Sequence, residues 1–247
     1  MTTDLGLSVL KILIKSGGDF MAKDEYHLTP LHHAAMRGNI KIVEHLVSLT
    51  GIDVNSRDKQ GSTALHIAAT YDNTAIVKVL LEHGADFTLE DKQSQTPLHR
   101  AAQEGCAGII EAILEVLEDK ESAMTTEDGD GNTPLTLAVE AGNSEAVQVF
   151  MSSADCQTFI NTPNKQGECP VHYAARSGDK ATMETLLDSG ANINSKNANN
   201  QTALYLAAAG ETENNLVDDP DNNENLEVVQ LLIDRGADID YWDIEVK

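Results

Sequence analysis

Aromatic side chains are scarce in this chain: one Trp, five Tyr and four Phe among 247 residues. That excludes a core assembled around large rings. Ala and Leu dominate the apolar content instead, which suits small helices packed closely together. Cysteine is scarce too. Cys106, Cys156 and Cys169 form no CxxC pair and no even framework, which excludes a disulfide scaffold and leads us to expect a reducing, cytoplasmic location. Long apolar runs are missing. The run LGLSVLKILI (5–14) is ten residues long, so it reads as a core helix rather than a membrane span, and we expect no secretory leader. We therefore expect no direct membrane insertion by this segment. Basic residues are outnumbered 17 to 40, giving a formal charge of -23. A surface that negative repels phosphate backbones, so nucleic acid is excluded as a general partner. The charge suits solubility, basic partners or cations.

What the chain does have is a phrase written six times. TPLHHAAMRG (29–38), TALHIAATYD (63–72), TPLHRAAQEG (96–105) and CPVHYAARSG (169–178) share register with stretches starting at Thr133 and Thr202. The starts are separated by 34, 33, 37, 36 and 33 residues, the mark of stacked repeats. Each recurring letter has a physical task. Thr supplies a helix N-cap, and Pro after it is pre-set for the first helical turn. Leu31, Leu65, Leu98, Leu135, Val171 and Leu204 are the expected core residues. Ala34-Ala35, Ala68-Ala69, Ala101-Ala102 and Ala174-Ala175 allow close helix approach. Gly38, Gly105, Gly142 and Gly178 permit the left-handed turn that ends the helix, with Asp72 as substitute. A second helix follows in each unit: IKIVEHLV, TAIVKVLLEH, AGIIEAILEV, SEAVQVFM, KATMETLLDS and LEVVQLLIDR, each with one apolar stripe. No unit can bury that stripe alone, so stacking must do it.

The pattern resembles the ankyrin repeat over essentially the whole chain. The resemblance implies an all-α solenoid of stacked helix-turn-helix units with projecting hairpin loops. It places a partial repeat at 1–23 and repeats at about 24–57, 58–90, 91–127, 128–163, 164–196 and 197–240, making one array over 1–247. The partial repeat reads as a second helix and loop without a first helix, as in a piece of a longer array. Three departures stand out. ILEVLEDKESAMTTEDGDG predicts an extended second helix in the third repeat, SSADCQTFINTP a lengthened loop in the fourth, and about 211–224 an acidic, solvated insertion in the sixth.

His32, His66, His99 and His172 recur at one motif position, and the resemblance implies that they tie the helix start to the adjacent loop; His32 and His33, being neighbours, cannot share a helix face. Asp128, Asp130 and Asn132 echo a calcium loop, yet Thr133 stands where glycine is required and Val139 where glutamate is. Asp219, Asp221 and Asn223 fail likewise, with Glu224 and Gln230 at those places. No phosphate loop, nucleophile elbow or catalytic constellation is present. We therefore expect no enzyme, no cofactor and no metal site.

The variable positions identify the expected working surface, a concave face lined by first helices and hairpin tips that takes a protein partner. They are Met36, Arg37, Thr70, Tyr71, Gln103, Glu104, Glu140, Arg176 and Ser177, with Arg57, Glu90 and Lys196 at the tips. One stretch is similar to a narrower family. NTPLTLAVEAGNSEAVQVF (132–150) followed by NKQGECPVHYAARSGDKATMETLLDSG (164–190) resembles successive repeats in the cytosolic array of transient-receptor-potential ankyrin-type cation channels. The marks are Asn143-Ser144-Glu145-Ala146, Asn164-Lys165, Gly167, Pro170, His172, Ala174-Ala175, Ser177-Gly178 and Met183-Glu184. That resemblance implies a sensing and coupling element beside a calcium-permeable pore, with other channel subunits among its partners. A free-standing cytosolic adaptor is the alternative, and an ankyrin-linked enzyme with a separate catalytic domain a third class.

Overall fold

The computed structural model describes residues 2–117, 119–153, 156–209 and 224–239. The expected acidic insertion lies almost wholly outside them. Among the described residues there are α-helices and no strands, and no helix is long and apolar enough to cross a membrane. Contacts group the chain into two compact units, residues 1–118 and 119–247.

The first unit holds α1 (Thr2–Lys15), α2 (Pro30–Met36), α3 (Ile40–Val47), α4 (Ala64–Thr70), α5 (Thr74–Glu82), α6 (Pro97–Gln103) and α7 (Ala107–Val116). The second holds α8 (Lys120–Thr125), α9 (Pro134–Glu140), α10 (Ser144–Ser152), α11 (Pro170–Ser177), α12 (Lys180–Asp188), α13 (Ala203–Ala209) and α14 (Glu224–Asp234), with a 3₁₀ turn at Cys156–Thr158. First helices pack on first helices, α2 on α4 on α6 and α9 on α11 on α13. Second helices do likewise, α1 on α3 on α5 on α7 and α10 on α12 on α14. Seven-residue helices are too short to persist alone, so this lateral packing is what holds them.

The repeated letters perform as their chemistry requires. Leu31, Leu65, Leu98, Leu135 and Val171 are 2% exposed or less, and each such burial is worth roughly 1.5–3 kcal/mol. The Ala pairs are buried, and Ala101 and Ala102 have no accessible surface. Ala101→Leu is expected to overpack the α6 contact with α4 and cost roughly 1–3 kcal/mol, read as a lowered urea midpoint; an unchanged midpoint would contradict this packing. Asp72 adopts φ 53° where Gly38, Gly105 and Gly142 adopt 64°, 75° and 72°, so an aspartate does close one of these turns in the left-handed region.

One expectation needs revision, and another gains a detail. The second helix of the third repeat does not extend. α7 stops at Val116, Leu117 turns to φ -83°, ψ 127°, and Asp119 starts the separate α8 by accepting a hydrogen bond from the Ser122 N–H at 3.0 Å. Met124 of α8 is buried, so the extra residues form a separate helix with a packed face. In the lengthened fourth loop, Phe159 and Ile160 are buried, at 1% and 0% exposure. That loop therefore adds to the core of its unit.

Candidate functional site

Each repeat projects a hairpin built on one acidic or amide side chain. Oδ1 of Asp24, Asp58, Asp91, Asp128, Asn164 and Asn197 accepts from the backbone N–H groups two and four residues on, at 2.8–3.1 Å. This is an Asx turn used six times. It accounts for Asp128, Asp130 and Asn132: the first accepts from the backbone of the other two, so the calcium-like spelling is hairpin chemistry. The residue three beyond each anchor has positive φ, supplied by Gly61, Gly131 and Gly167 but also by His27, Ser94 and Asn200. Successive hairpins are joined by backbone bonds: Lys59 donates to Tyr26 and Lys92 to Gln60, while in the second unit Lys165 donates to Asp130 and Ala198 to Gln166, at 2.8–3.1 Å.

The helix starts are locked to these hairpins by histidine. Nδ1 of His32, His66, His99 and His172 accepts the backbone N–H of the capping residue three positions earlier, at 2.9–3.2 Å. Nδ1 therefore carries no proton, and Nε2–H donates to a hairpin carbonyl: His32 to Ser62 at 3.2 Å, His66 to Gln95 at 3.0 Å and His172 to Ser195 at 3.0 Å. Burial lowers the pKa of all three and takes His66 down to about 4. In the fourth repeat a Thr133–Thr136 hydroxyl pair replaces the histidine lock.

Among the sequence-derived surface residues, Arg37, Arg57, Tyr71, Glu90, Gln103, Glu104, Glu140, Ser177 and Lys196 are exposed, and Met36, Thr70 and Arg176 are half-buried. Several are tied into the scaffold. Arg57 donates to the carbonyls of Gly61 and Glu90, bracing one hairpin against the next. Thr70 donates to the His66 carbonyl and Ser177 to that of Ala174. Tyr71, 54% exposed, is the aromatic of this set that faces solvent.

Other residues of this surface escaped the sequence reading. The hairpin anchor meets the helix residue nine positions on: Asp24 pairs with His33 at 2.9 Å, Asp91 with Arg100 at 2.5 Å, and Asn164 donates to the Tyr173 hydroxyl at 2.8 Å. That fixed spacing was the signal available. In the second unit, Glu168 holds Arg176 through two bonds at 2.6 and 3.0 Å, and the guanidinium lies 5.6 Å from the centre of the Tyr173 ring. Burial raises the Glu168 pKa, but hydrogen bonds from Arg176 and Asn197 outweigh it and leave the carboxyl below its usual range. Glu140 is pushed up by burial and by Asp128, Glu168 and Asp130, against the opposing pull of Arg176. Tyr173 rises to about 12 through burial and the charges of Glu140 and Glu168. Residues 119–247 contain 24 of the 40 acidic residues and 7 of the 17 basic ones, so most of the negative charge resides there.

Cys106 and Cys169 are not activated. Burial, then Asp72 and Glu104, push Cys106 to about 11, and burial raises Cys169, so both stay protonated near neutrality. Among the described residues no group of three or more His, Cys, Asp or Glu side chains is placed to hold a metal.

Comparison with known proteins agrees with this geometry. The family described as Ankyrin repeats (3 copies) matches residues 3–91, 51–126, 89–161 and 156–243. Human transient receptor potential cation channel subfamily A member 1 is 32% identical over 221 residues, covering 85% of this chain and 18% of that protein. Dog Inversin is 29% identical over 150 residues, 60% of this chain and 14% of Inversin. Palmitoyltransferase AKR1 of Lachancea kluyveri is 27% identical over 196 residues, 78% of this chain and 26% of that protein. The chain thus spans about a quarter or less of the length of these relatives. Among solved structures, the ankyrin repeat domain of Bcl-3 superposes with a TM-score of 0.71 at 27% identity, covering 85% of this chain and 87% of that one. Capping threonines, histidine locks, hairpin anchors and family match converge: the chain belongs to the ankyrin-repeat family.

Proposed function

We propose that this chain is the cytosolic ankyrin segment of a calcium-permeable cation channel similar to transient receptor potential subfamily A, where it acts in sensing, gating coupling or partner binding without catalysis. The observation that carries this reading is the 32% identity over 221 residues with the human channel. Ankyrin repeats are protein-interaction modules in general. The contact residues we assign to a protein partner are Arg37, Tyr71, Gln103, Glu104, Glu140, Ser177 and Lys196 on helix ends and hairpins, with Met36, Arg57, Thr70, Glu90 and Arg176 beside them. The excess of carboxylates over residues 119–247 favours a basic partner and opposes nucleic acid.

The second reading, a free-standing adaptor, stays in view because comparable identities with Inversin and with human Neurogenic locus notch homolog protein 1, the latter 31% over 153 residues, show the repeat in many proteins. A chimera separates the two. The matched stretch of the human channel is exchanged for this chain and calcium influx is recorded. A chimera that reaches the cell surface and still conducts on stimulation supports the channel reading. One that reaches the surface and stays silent while its parent conducts overturns it in favour of the adaptor.

A further inference from the structure

Arg37, Tyr71 and Glu104 occupy one place in three successive repeats of the first unit. Each caps the C-terminal end of a first helix, after α2, α4 and α6. The backbone there is nearly the same, with φ -90° and ψ 2°, then φ -99° and ψ 17°, then φ -87° and ψ -4°. Their side chains therefore leave the stack in a common direction. Because α2 packs on α4 and α4 on α6, the three form a row, with a step of about 8–10 Å from one helix axis to the next. The row reads cation, aromatic, anion, and all three side chains are exposed. Asp72 adds a second carboxylate at the anionic end. It follows Tyr71, is exposed, and accepts a hydrogen bond from the Cys106 thiol. Glu104 acts on the same thiol, so the two charges lie near one another.

An open aromatic ring beside two carboxylates is complementary to an apolar side chain followed by a cation. Spacing decides what form of chain can carry them. Seven residues of α-helix advance about 10.5 Å and return to the same face, which matches one step of the row. Three residues of extended chain advance about 10 Å, but the first and last then point to opposite faces. We propose that this row receives an α-helix of a protein partner, with a large apolar residue on Tyr71 and an arginine or lysine seven residues away against Glu104 and Asp72. Arg37 repels a cation one step before Tyr71, which sets the sense in which the helix lies. The inference rests on the reading of Tyr71 and Glu104 as partner contacts, and it names what they contact.

The probe is an acetylated, alanine-based peptide of about 18 residues, held helical by one lactam bridge, with a leucine and an arginine seven residues after it. It is titrated into the ¹⁵N-labelled chain at about 0.15 M salt, where distant exposed charges are largely screened. The expected result is saturable amide shifts at Tyr71, Asp72 and Glu104. Tyr71→Ala, at a position 54% exposed, and Glu104→Arg are each expected to weaken binding about tenfold. A peptide with glutamate in place of the arginine is expected to restore binding to Glu104→Arg. A peptide of unchanged composition, its arginine moved two residues on to the opposite face, is expected to bind about tenfold more weakly. Equal binding by that peptide shows only attraction to a negative chain and overturns the proposal. So does failure of the exchanged charges to rescue Glu104→Arg. Saturable shifts at Glu140, Ser177 and Lys196 instead overturn it while leaving a partner surface in place. The absence of any saturable shift overturns it too, and the chimera recording then judges the channel reading by itself.

Discussion

Replacing Asp91 with alanine is expected to lower the stability of the first unit by about 3 kcal/mol, while Asp91→Asn costs about 1 kcal/mol or less. The Asp91 carboxylate has no exposed side-chain surface, and it does three things at once. It accepts from the N–H of Gln93 at 2.8 Å and of Gln95 at 3.1 Å, and it pairs with Arg100 at 2.5 Å. Alanine removes the Oδ1 acceptor of the buried Gln95 N–H, frees the hairpin, and removes the carboxylate partner of a guanidinium only 25% exposed. Breaking a fully buried pair costs about 3–5 kcal/mol, and the partial exposure of Arg100 puts the expectation at the lower end. Asparagine keeps the Oδ1 acceptor, as Asn164 and Asn197 do in their own hairpins. Urea unfolding of the two variants separates backbone anchoring from ion pairing. Equal losses would assign the effect to the Arg100 pair and refute the anchor account.

Acidification supplies the second large effect. For a histidine whose folded pKa lies below its unfolded value, the unfolded chain binds more protons between the two, so stability falls as pH drops through that window. With His66 at about 4 against an ordinary 6.5, this one residue removes about 2 kcal/mol between pH 7 and pH 5. His32 and His172, also lowered, add to it. Two other influences lie lower in pH or are smaller. Carboxylates such as Glu168, held below their usual range, lose their contribution only at lower pH. Relief of self-repulsion from the charge of -23 acts the other way, so the fall is expected against that trend. Against a typical total of about 5–15 kcal/mol, the melting temperature should drop by several degrees. Thermal melts at pH 7 and pH 5 decide the matter, and a melting temperature that rises or stays level would show that the histidines are not locked neutral.

The repeat could be read from letters because its parts are local. A threonine, or Cys169 in α11, three residues before a histidine, an alanine pair and a glycine, or Asp72 after α4, at the helix end each act within one turn, so α2, α4, α6 and α11 were legible. The hairpin anchors were not. Asp58 and Asp91 look like solvent-facing loop charges, and Asp128 like half a calcium site, until the backbone closes on them. The pairing of Asp91 with Arg100 depends on a hairpin folding back over its own helix, which helical periodicity does not report. The break at Leu117 was missed for a related reason: the apolar stripe of α7 runs on in the letters, whereas the backbone turns at Leu117 and Met124 is buried from a separate helix.

Because hairpins within a unit are bonded to the one beside them, and helices within a unit lean on their immediate neighbours, no layer in either unit depends on residues far along the chain. Cooperativity is consequently short-ranged. A partner that grips two adjacent hairpins changes the opening equilibrium of those layers most strongly, and distant ones only by relay. Force or ligand applied at one place would then spread as graded loosening, in the manner of a spring rather than a lever.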